Sequence, residues 1–200
     1  MTITYEVGNS LYVNITNRCP NACEFCVRTH GSSYGTADSL WLEREPSVQE
    51  IIEDIEKRDL SRYKELVFCG YGEPLERIDE LCAVSRALKE QHASLKIRVN
   101  TNGLSDLIHG RETAPQLKGL VDVLSISLNS ATPEDYDRIC HPKFGLEAHP
   151  ALLQFAKEAK AYVPRVVLSV VDTIGEEEIE KCRVLAEKAG TEYRVRKYIP

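Results

Sequence analysis

The sequence predicts an α/β fold built on a parallel sheet, and two observations support this. Six short runs rich in β-branched residues alternate with helical patterns along the 200 residues, as in folds assembled from strand–helix–strand units. No internal repeat, low-complexity tract or long linker divides the chain, so we expect one domain over residues 1–200. Six such strands form either an open, doubly wound sheet or an incomplete barrel, and the pattern alone leaves both possible.

The strand candidates are bounded by turn residues, and helix signals lie between them. Ser47, with Glu50 three residues later, forms a capping-box signature before an apolar helical face. Thr132 followed by Pro133 predicts another helix start, and Gly190 predicts a helix end. The predicted strands are 11–16, 66–70, 96–100, 121–128, 165–171 and 193–199, and the predicted helices include 78–91, 151–161 and 176–189.

Composition excludes several classes of function. Hydrophobic residues make up 42% and charged residues 28% of the chain, as in ordinary globular proteins. The net charge of −6, from 25 basic and 31 acidic residues, argues against strong, sequence-independent binding of nucleic acid. No apolar run is long enough to span a membrane, and the N-terminus lacks the features of a signal peptide. We therefore expect a cytoplasmic protein without a membrane partner.

Three of the seven cysteines lie within eight residues, at Cys19, Cys23 and Cys26. Their C-x3-C-x2-C spacing follows the first predicted strand, where a loop can wrap thiolates around one face of a metal group. Thiolates suit zinc or an iron–sulfur cluster. A four-iron cluster held by three thiolates keeps one iron open, whereas structural zinc needs a fourth ligand, such as Cys69 or His30.

A second motif, Gly70-Tyr71-Gly72-Glu73-Pro74, ends the second predicted strand. Glycine lets a ligand approach the backbone closely, proline restricts the turn, and the Glu73 carboxylate could accept hydrogen bonds from an ammonium group. Polar residues also end the next two predicted strands. Asn102 follows the third strand, and Ser127 and Asn129 lie on one face at the end of the fourth, since side chains alternate along a strand. Parallel α/β folds place their active sites at these strand ends.

With its cysteine triplet and its Gly-Glu-Pro motif, the chain resembles the radical S-adenosylmethionine (radical SAM) superfamily along nearly its whole length. The resemblance implies a partial (βα)6 barrel and a [4Fe–4S] cluster on Cys19, Cys23 and Cys26. It implies reductive cleavage of SAM to a 5′-deoxyadenosyl radical, which abstracts hydrogen from a substrate. Tyr71 stands where the family motif has glycine. The residues implied to bind SAM are Phe25, Gly70, Tyr71, Gly72, Glu73, Pro74, Asn102, Ser127 and Asn129.

The alternative is a non-catalytic iron–sulfur or zinc protein in electron transfer or assembly, for which Cys69 would be a fourth ligand. Within the enzyme class, the substrate is a small molecule or a protein, the latter if the chain is an activase. The resemblance implies an external electron donor such as flavodoxin or ferredoxin. The opening residues resemble a small TatD-associated radical SAM group, which suggests a functional link to a TatD-like hydrolase. We expect Cys140, which follows the helix start after the fourth predicted strand, to lie near the substrate opening.

Overall fold

A seven-stranded sheet forms the centre of the computed structural model, which describes residues 1–29 and 34–198. The strands lie side by side in the order of the chain, and each neighbouring pair from the second strand onward is parallel. The strands are β1 (Thr4–Val7), β2 (Ser10–Val13), β3 (Glu65–Phe68), β4 (Ile97–Thr101), β5 (Val123–Ser127), β6 (Arg165–Val171) and β7 (Glu192–Arg196).

The six predicted strands correspond to β2–β7, and β1 is an addition that the alternation of strands and helices does not predict. β1 pairs with β2 in antiparallel orientation, with Thr4 opposite Val13. The connection between them turns at Gly8, whose φ of 57° is in the left-handed region that glycine adopts readily. Because β1 and β7 are the two edges of this sheet, the barrel is incomplete, as the sequence resemblance implies.

Helices connect the parallel strands, and local sequence signals explain where several of them begin and end. Ser47 and Glu50 form both bonds of the predicted capping box. Gly190 ends the last helix with φ 66°. The helices are α1 (Val48–Glu56), α2 (Ile78–Gln91), α3 (Ser105–His109), α4 (Pro133–Cys140), α5 (Ala148–Ala159) and α6 (Glu176–Ala189). Among the described residues, no helix combines the length and apolar character needed to cross a bilayer.

The two faces of the sheet differ in chemistry, as strand alternation requires. On β5, Leu124 and Ile126 are fully buried in the core between the sheet and the helices, together with Leu152 of α5. The intervening Ser125 faces a cavity on the other side, as does Asn100 on β4. The helices thus cover an apolar outer face, and the interior of the partial barrel is polar.

Candidate active site

A cavity of about 220 Å³ lies where the parallel strands end, and it gathers nearly all the residues predicted for the site. Pro74 is the exception, because it is buried at the start of a short 3-10 helix, Pro74–Arg77. A second cavity of about 500 Å³ shares Phe25, Asn129 and Tyr198 with the first. The predicted residues that line the first cavity are Cys19, Cys23, Phe25, Cys26, Gly70, Tyr71, Gly72, Glu73, Asn102, Ser127 and Asn129.

The loop that carries the three cysteines is held against the end of α4. A buried side-chain bond, from Asn21 Nδ2 to the Tyr136 hydroxyl, measures 3.0 Å. The loop therefore has a defined position although it belongs to no regular element. Three backbone hydrogen bonds complete the attachment: Ala22 N to Cys140 O (3.0 Å), Glu24 N to Ile139 O (3.0 Å) and Lys143 N to Pro20 O (2.8 Å).

The three thiols are free and half-buried. Burial, reinforced by the nearby Glu73 carboxylate, raises the pKa of Cys19 to about 12, and burial also raises the pKa of Cys26. A hydrogen bond with Cys140 and then burial raise the pKa of Cys23. Each of these shifts favours the protonated thiol over the thiolate. In the described ranges, no three His, Cys, Asp or Glu side chains form a group suited to a single metal ion.

Cys140 does not lie at an opening, contrary to the sequence prediction. It is fully buried at the last position of α4. Its thiol forms a hydrogen bond with Cys23, and Asn129 Nδ2 lies 3.7 Å from its sulfur. The position follows from the apolar face of α4, which turns Cys140 toward the core together with Tyr136. Cys140 therefore lies behind the cysteine loop and not in front of the site.

Gly70 and Gly72 are explained by packing within the chain. A Cβ at Gly70 would lie 2.0 Å from Asn14 Oδ1, and a Cβ at Gly72 would lie 2.3 Å from the Thr16 carbonyl oxygen and 2.7 Å from that of Arg18. These distances are far shorter than van der Waals contact. The turn after β3 thus packs directly against the chain that enters the cysteine loop, and only glycine permits this approach.

Glu73 is a buried carboxylate with three internal hydrogen-bond donors. Its Oε1 accepts from Leu75 N (3.0 Å) and Thr101 Oγ1 (2.7 Å), and its Oε2 accepts from Asn102 N (2.7 Å). Its own N–H donates to Arg18 O at 2.7 Å. Burial raises its pKa to about 7, although the three donors partly oppose the shift. The residue thus ties the turn after β3 to the cysteine loop and to the end of β4.

Three asparagines in the cavity wall have buried polar atoms without partners among the described residues, and one of these atoms is Oδ1 of Asn21 in the cysteine loop. Asn102 Oδ1 accepts from Leu104 N at 2.9 Å, but its Nδ2 donor is unpaired. Asn129 adopts a left-handed backbone with φ 58°, and its Oδ1 acceptor is unpaired. Such groups are costly unless a partner satisfies them. A ligand offering both acceptors and donors would fit between them.

The other predicted residues contribute less specific contacts. Phe25 is half-buried and packs against the core while lining both cavities. The buried ring of Tyr71 packs edge-on against Trp41, with ring centroids 5.1 Å apart. Ser127 Oγ lies 3.4 Å from Arg196 Nη2, as a weak acceptor. Tyr71 is therefore accommodated as an aromatic packing residue in the turn after β3.

The motif-based prediction does not include several residues of the cavity wall. Arg196 and Lys197, at and just after the end of β7, line the cavity, and the alternating basic residues of that strand were the available signal. Cys69, considered as a fourth metal ligand, also lines it and hydrogen-bonds Asn100. His30, the other candidate, lies outside the described residues.

In this fold, a loop with three cysteines and a polar cavity lie together at the C-terminal ends of the parallel strands of a partial barrel. This combination defines the class of protein. A family model described as the radical SAM superfamily matches residues 13–187. The chain therefore belongs to the radical SAM superfamily, which is a superfamily of enzymes. No curated protein gives a significant match in sequence.

Solved structures share this fold. SuiB of Streptococcus suis bound to precursor peptide SuiA matches with a TM-score of 0.67 and 13% identity, covering 96% of this chain and 39% of that chain. The FeFe-hydrogenase maturase HydG of Carboxydothermus hydrogenoformans matches with a TM-score of 0.64 and 19% identity, covering 96% of this chain and 44% of that chain. A radical SAM methyltransferase of Sphaerobacter thermophilus matches with a TM-score of 0.59 and 16% identity, covering 97% of this chain and 68% of that chain. The chain thus spans about two fifths of the SuiB length, and at these identities the likeness concerns the fold.

The family implies a [4Fe–4S] cluster and SAM, and the residues present fit both groups. Three free thiols on one loop are a suitable donor set for a cluster with one iron left open. The unpaired donor of Asn102 and the unpaired acceptor of Asn129 suit a ligand that carries both carboxylate and hydroxyl or ammonium groups. The resemblance to a TatD-associated group stays a prediction.

Replacing Gly72 with alanine tests the packing of the turn after β3. We expect the Gly72→Ala chain to lose roughly 3 kcal/mol in free energy of unfolding, because the methyl group overlaps two carbonyl oxygens. Urea denaturation measures the loss. Gly119→Ala is the control, since nothing lies within 4 Å of a Cβ there and only the φ of 74° is unfavourable, at a cost of about 1 kcal/mol. Equal losses in the two variants would contradict the steric explanation.

The raised pKa of Glu73 predicts a pH dependence of stability. Its folded pKa of about 7 lies above the ordinary value of 4.5, so its contribution is complete below pH 4.5 and is lost as pH rises through 7. Relative to Glu73→Gln, we expect the wild-type free energy of unfolding to fall by at most about 3 kcal/mol across this range. Denaturant titrations at several pH values provide the measurement, with Glu90→Gln on the surface as control. A difference that is independent of pH would contradict the assignment.

Proposed function

We propose that this chain is a radical SAM enzyme that holds one [4Fe–4S] cluster on Cys19, Cys23 and Cys26 and binds SAM in the adjoining cavity. The observation that supports it most directly is the convergence of two separate motifs and two strand ends on one cavity. When bound, the cluster and SAM would supply one-electron reductive cleavage of the S–C5′ bond, followed by hydrogen-atom abstraction from a substrate.

In this proposal the cysteine loop binds the cluster with little movement of its backbone, while the Cys23 thiol gives up its hydrogen bond with Cys140. Its backbone is already attached to α4 through residues on both sides of Cys23. The thiols release their protons when they bind metal. The half-buried position of the loop would limit access of water to a bound cluster, and the adjoining cavity would accommodate SAM on one side of the loop.

The polar residues at the strand ends would bind SAM. In this proposal Asn102 Nδ2 would donate a hydrogen bond to the SAM carboxylate or a ribose oxygen, and Asn129 Oδ1 would accept one, because both atoms lack a partner among the described residues. Ser127 adds a hydroxyl on the same wall, and Phe25 provides an apolar surface beside the cysteine loop. The turn Gly70–Pro74 would contribute backbone groups to SAM. Glu73 then serves chiefly to position this turn, because its carboxylate already has three donors.

The partners remain part of the proposal. Reductive cleavage needs one electron from outside, for which we propose a flavodoxin or a ferredoxin as donor. A small molecule or a protein could enter from the open side of the partial barrel, so an activase role belongs to the same proposal. A link to a TatD-like hydrolase stays a prediction. The acidic net charge of −6 continues to disfavour strong nucleic-acid binding.

Cysteine variants test the cluster. After anaerobic reconstitution with iron and sulfide, we expect about four irons and four sulfides per wild-type chain. We also expect dithionite-dependent conversion of SAM to 5′-deoxyadenosine, measured by chromatography. Cys19→Ala, Cys23→Ala and Cys26→Ala should each lose most of the iron and all cleavage.

Cys69→Ala separates this proposal from the alternative of a non-catalytic metal protein. Cys69 lines the cavity, yet an enzyme with an open iron does not require it, so Cys69→Ala should retain the iron. Cys182→Ala, buried in α6 away from the cavity, is the matched control. Loss of iron in Cys69→Ala alone would favour a four-ligand site, and a loaded wild-type chain that does not cleave SAM would contradict the enzyme proposal.

Asn102→Asp tests SAM binding separately from the cluster. The change keeps the oxygen that accepts from Leu104 N and removes the unpaired Nδ2 donor. We expect the Kd for SAM to rise about tenfold, as for the loss of one buried hydrogen bond, with the iron content unchanged. Anaerobic calorimetry measures the affinity. Asn9→Asp, at an exposed position in the β1–β2 turn, makes the same chemical change away from the cavity, and equal affinities in both variants would contradict the assignment.

A further inference from the structure

A third cavity, of about 470 Å³, occupies the interior of the partial barrel beneath the strand ends. It is within the volume range of ordinary small-molecule sites. Its wall shares six residues with the cavity proposed for SAM: Val27, Cys69, Gly70, Asn100, Arg196 and Lys197. A molecule bound in this third cavity, which we call the interior cavity, would therefore lie next to SAM.

The wall of the interior cavity is strongly basic although the chain is acidic overall. Among the described residues, four cationic side chains and no carboxylate line it, against a net charge of −6 for the whole sequence. Arg98 and Asn100 share one face of β4, and Arg194 and Arg196 share one face of β7, because residues two apart on a strand point the same way. The four cationic residues are Arg98, Arg194, Arg196 and Lys197.

Two of these four cations already have acidic partners outside the wall. Arg98 Nη2 lies 3.1 Å from Glu65 Oε1, and Lys197 Nζ lies 3.1 Å from Asp172 Oδ2. The positive charge that remains for a ligand therefore comes from β7.

Arg194 and Arg196 have no ion-pair partner within the described ranges. Arg196 Nη2 donates a weak hydrogen bond to Ser127 Oγ, at 3.4 Å. Its Nε is buried and has no partner among the residues that the structure describes. Burial and the neighbouring Arg194 lower the pKa of Arg196. A half-buried guanidinium without a counter-ion is unfavourable, and a bound anion would compensate it.

The opposite wall of the interior cavity is aromatic. Tyr5 on β1 and Tyr12 on β2 lie opposite each other in the sheet, with ring centroids 5.3 Å apart. Tyr34 packs edge-on against Tyr5 at 6.1 Å. The cavity thus has tyrosine rings on the β1–β2 side and guanidinium groups on the β7 side.

We propose that the interior cavity binds the substrate, and that this substrate is a small molecule with a carboxylate or phosphate group on an apolar body. Guanidinium groups bind both anions with paired, directional hydrogen bonds, and the tyrosines cover the apolar part. The inference rests on the proposed function, because proximity to SAM is what makes the occupant a substrate. It excludes a neutral substrate held by the tyrosines alone.

The test uses the anaerobically reconstituted full chain and three probes that share a phenyl body: phenyl phosphate, benzoate and neutral benzyl alcohol. Calorimetry in a chloride buffer of fixed ionic strength measures each affinity. We expect one or both anions to bind at least tenfold more tightly than benzyl alcohol. A preference for phenyl phosphate identifies a phosphate ester as substrate, and a preference for benzoate identifies a carboxylate. Equal affinities for all three probes, or no binding of either anion, would overturn the proposal.

Arg194→Gln locates the binding site. Arg194 lines the interior cavity but not the cavity proposed for SAM, so the variant should bind the preferred anion at least tenfold more weakly and bind SAM as the wild type does. Arg86→Gln, exposed on α2, removes one positive charge elsewhere and should leave both affinities unchanged. Equal anion affinities of Arg194→Gln and Arg86→Gln would overturn the assignment of the anion site to the interior cavity.

SAM binding and cleavage, measured on the same samples, distinguish the two proposals. If the wild type cleaves SAM but ignores the anionic probes, the inference about the interior cavity fails and the proposed function stands. If the wild type binds anions through Arg194 but neither binds nor cleaves SAM, the proposed function fails, and with it the role of the anion as substrate.

Discussion

The site depends on the hydrogen bonding of one buried carboxylate, that of Glu73. Its two oxygens take donors from the start of the following 3-10 helix and from the end of β4, while its own N–H reaches the cysteine loop. Removing a carboxylate from water is costly, and the cost is visible in its raised pKa. Three hydrogen-bond donors offset that cost. The same bonds, with that of the Glu73 N–H, hold the turn after β3, the end of β4 and the cysteine loop together.

The glycines of the same turn make this arrangement possible. Gly70 and Gly72 bring the chain after β3 into contact with Asn14, Thr16 and Arg18, so that the motif after β3 and the motif after β2 form one packed unit. The site is therefore built from strand ends that support each other, and the polar interior of the barrel is left unfilled by the core. An ordinary closed barrel fills this space with apolar layers, whereas here serine, asparagine, arginine and tyrosine line much of it, beside Val27, Leu40 and Val195.

Local signals were sufficient to predict much of the fold and most of the residues that line the cavity at the strand ends. The capping box at Ser47 and the helix end at Gly190 involve residues a few positions apart, and the structure has both. Contacts between distant residues were not accessible in the same way. The sequence suggested an ammonium partner for Glu73, but Thr101 and Asn102, which satisfy it, lie 28 and 29 positions further on. The burial of Cys140 and the convergence of Arg98 with Arg194 likewise depend on how separate strands and helices are placed, and β1 has no helix before it to mark it as a strand.

The attachment of the cysteine loop to α4 has a consequence for the order of assembly. Residues 20–24 obtain their backbone partners from residues 139–143, more than a hundred positions later in the chain. During synthesis, which proceeds from the N-terminus, the cysteines emerge long before the segment that holds them. The loop can reach its final geometry only after β5 and α4 have been made and have docked. A chain that stops before α4 would therefore present the three thiols on a loop that lacks these backbone partners.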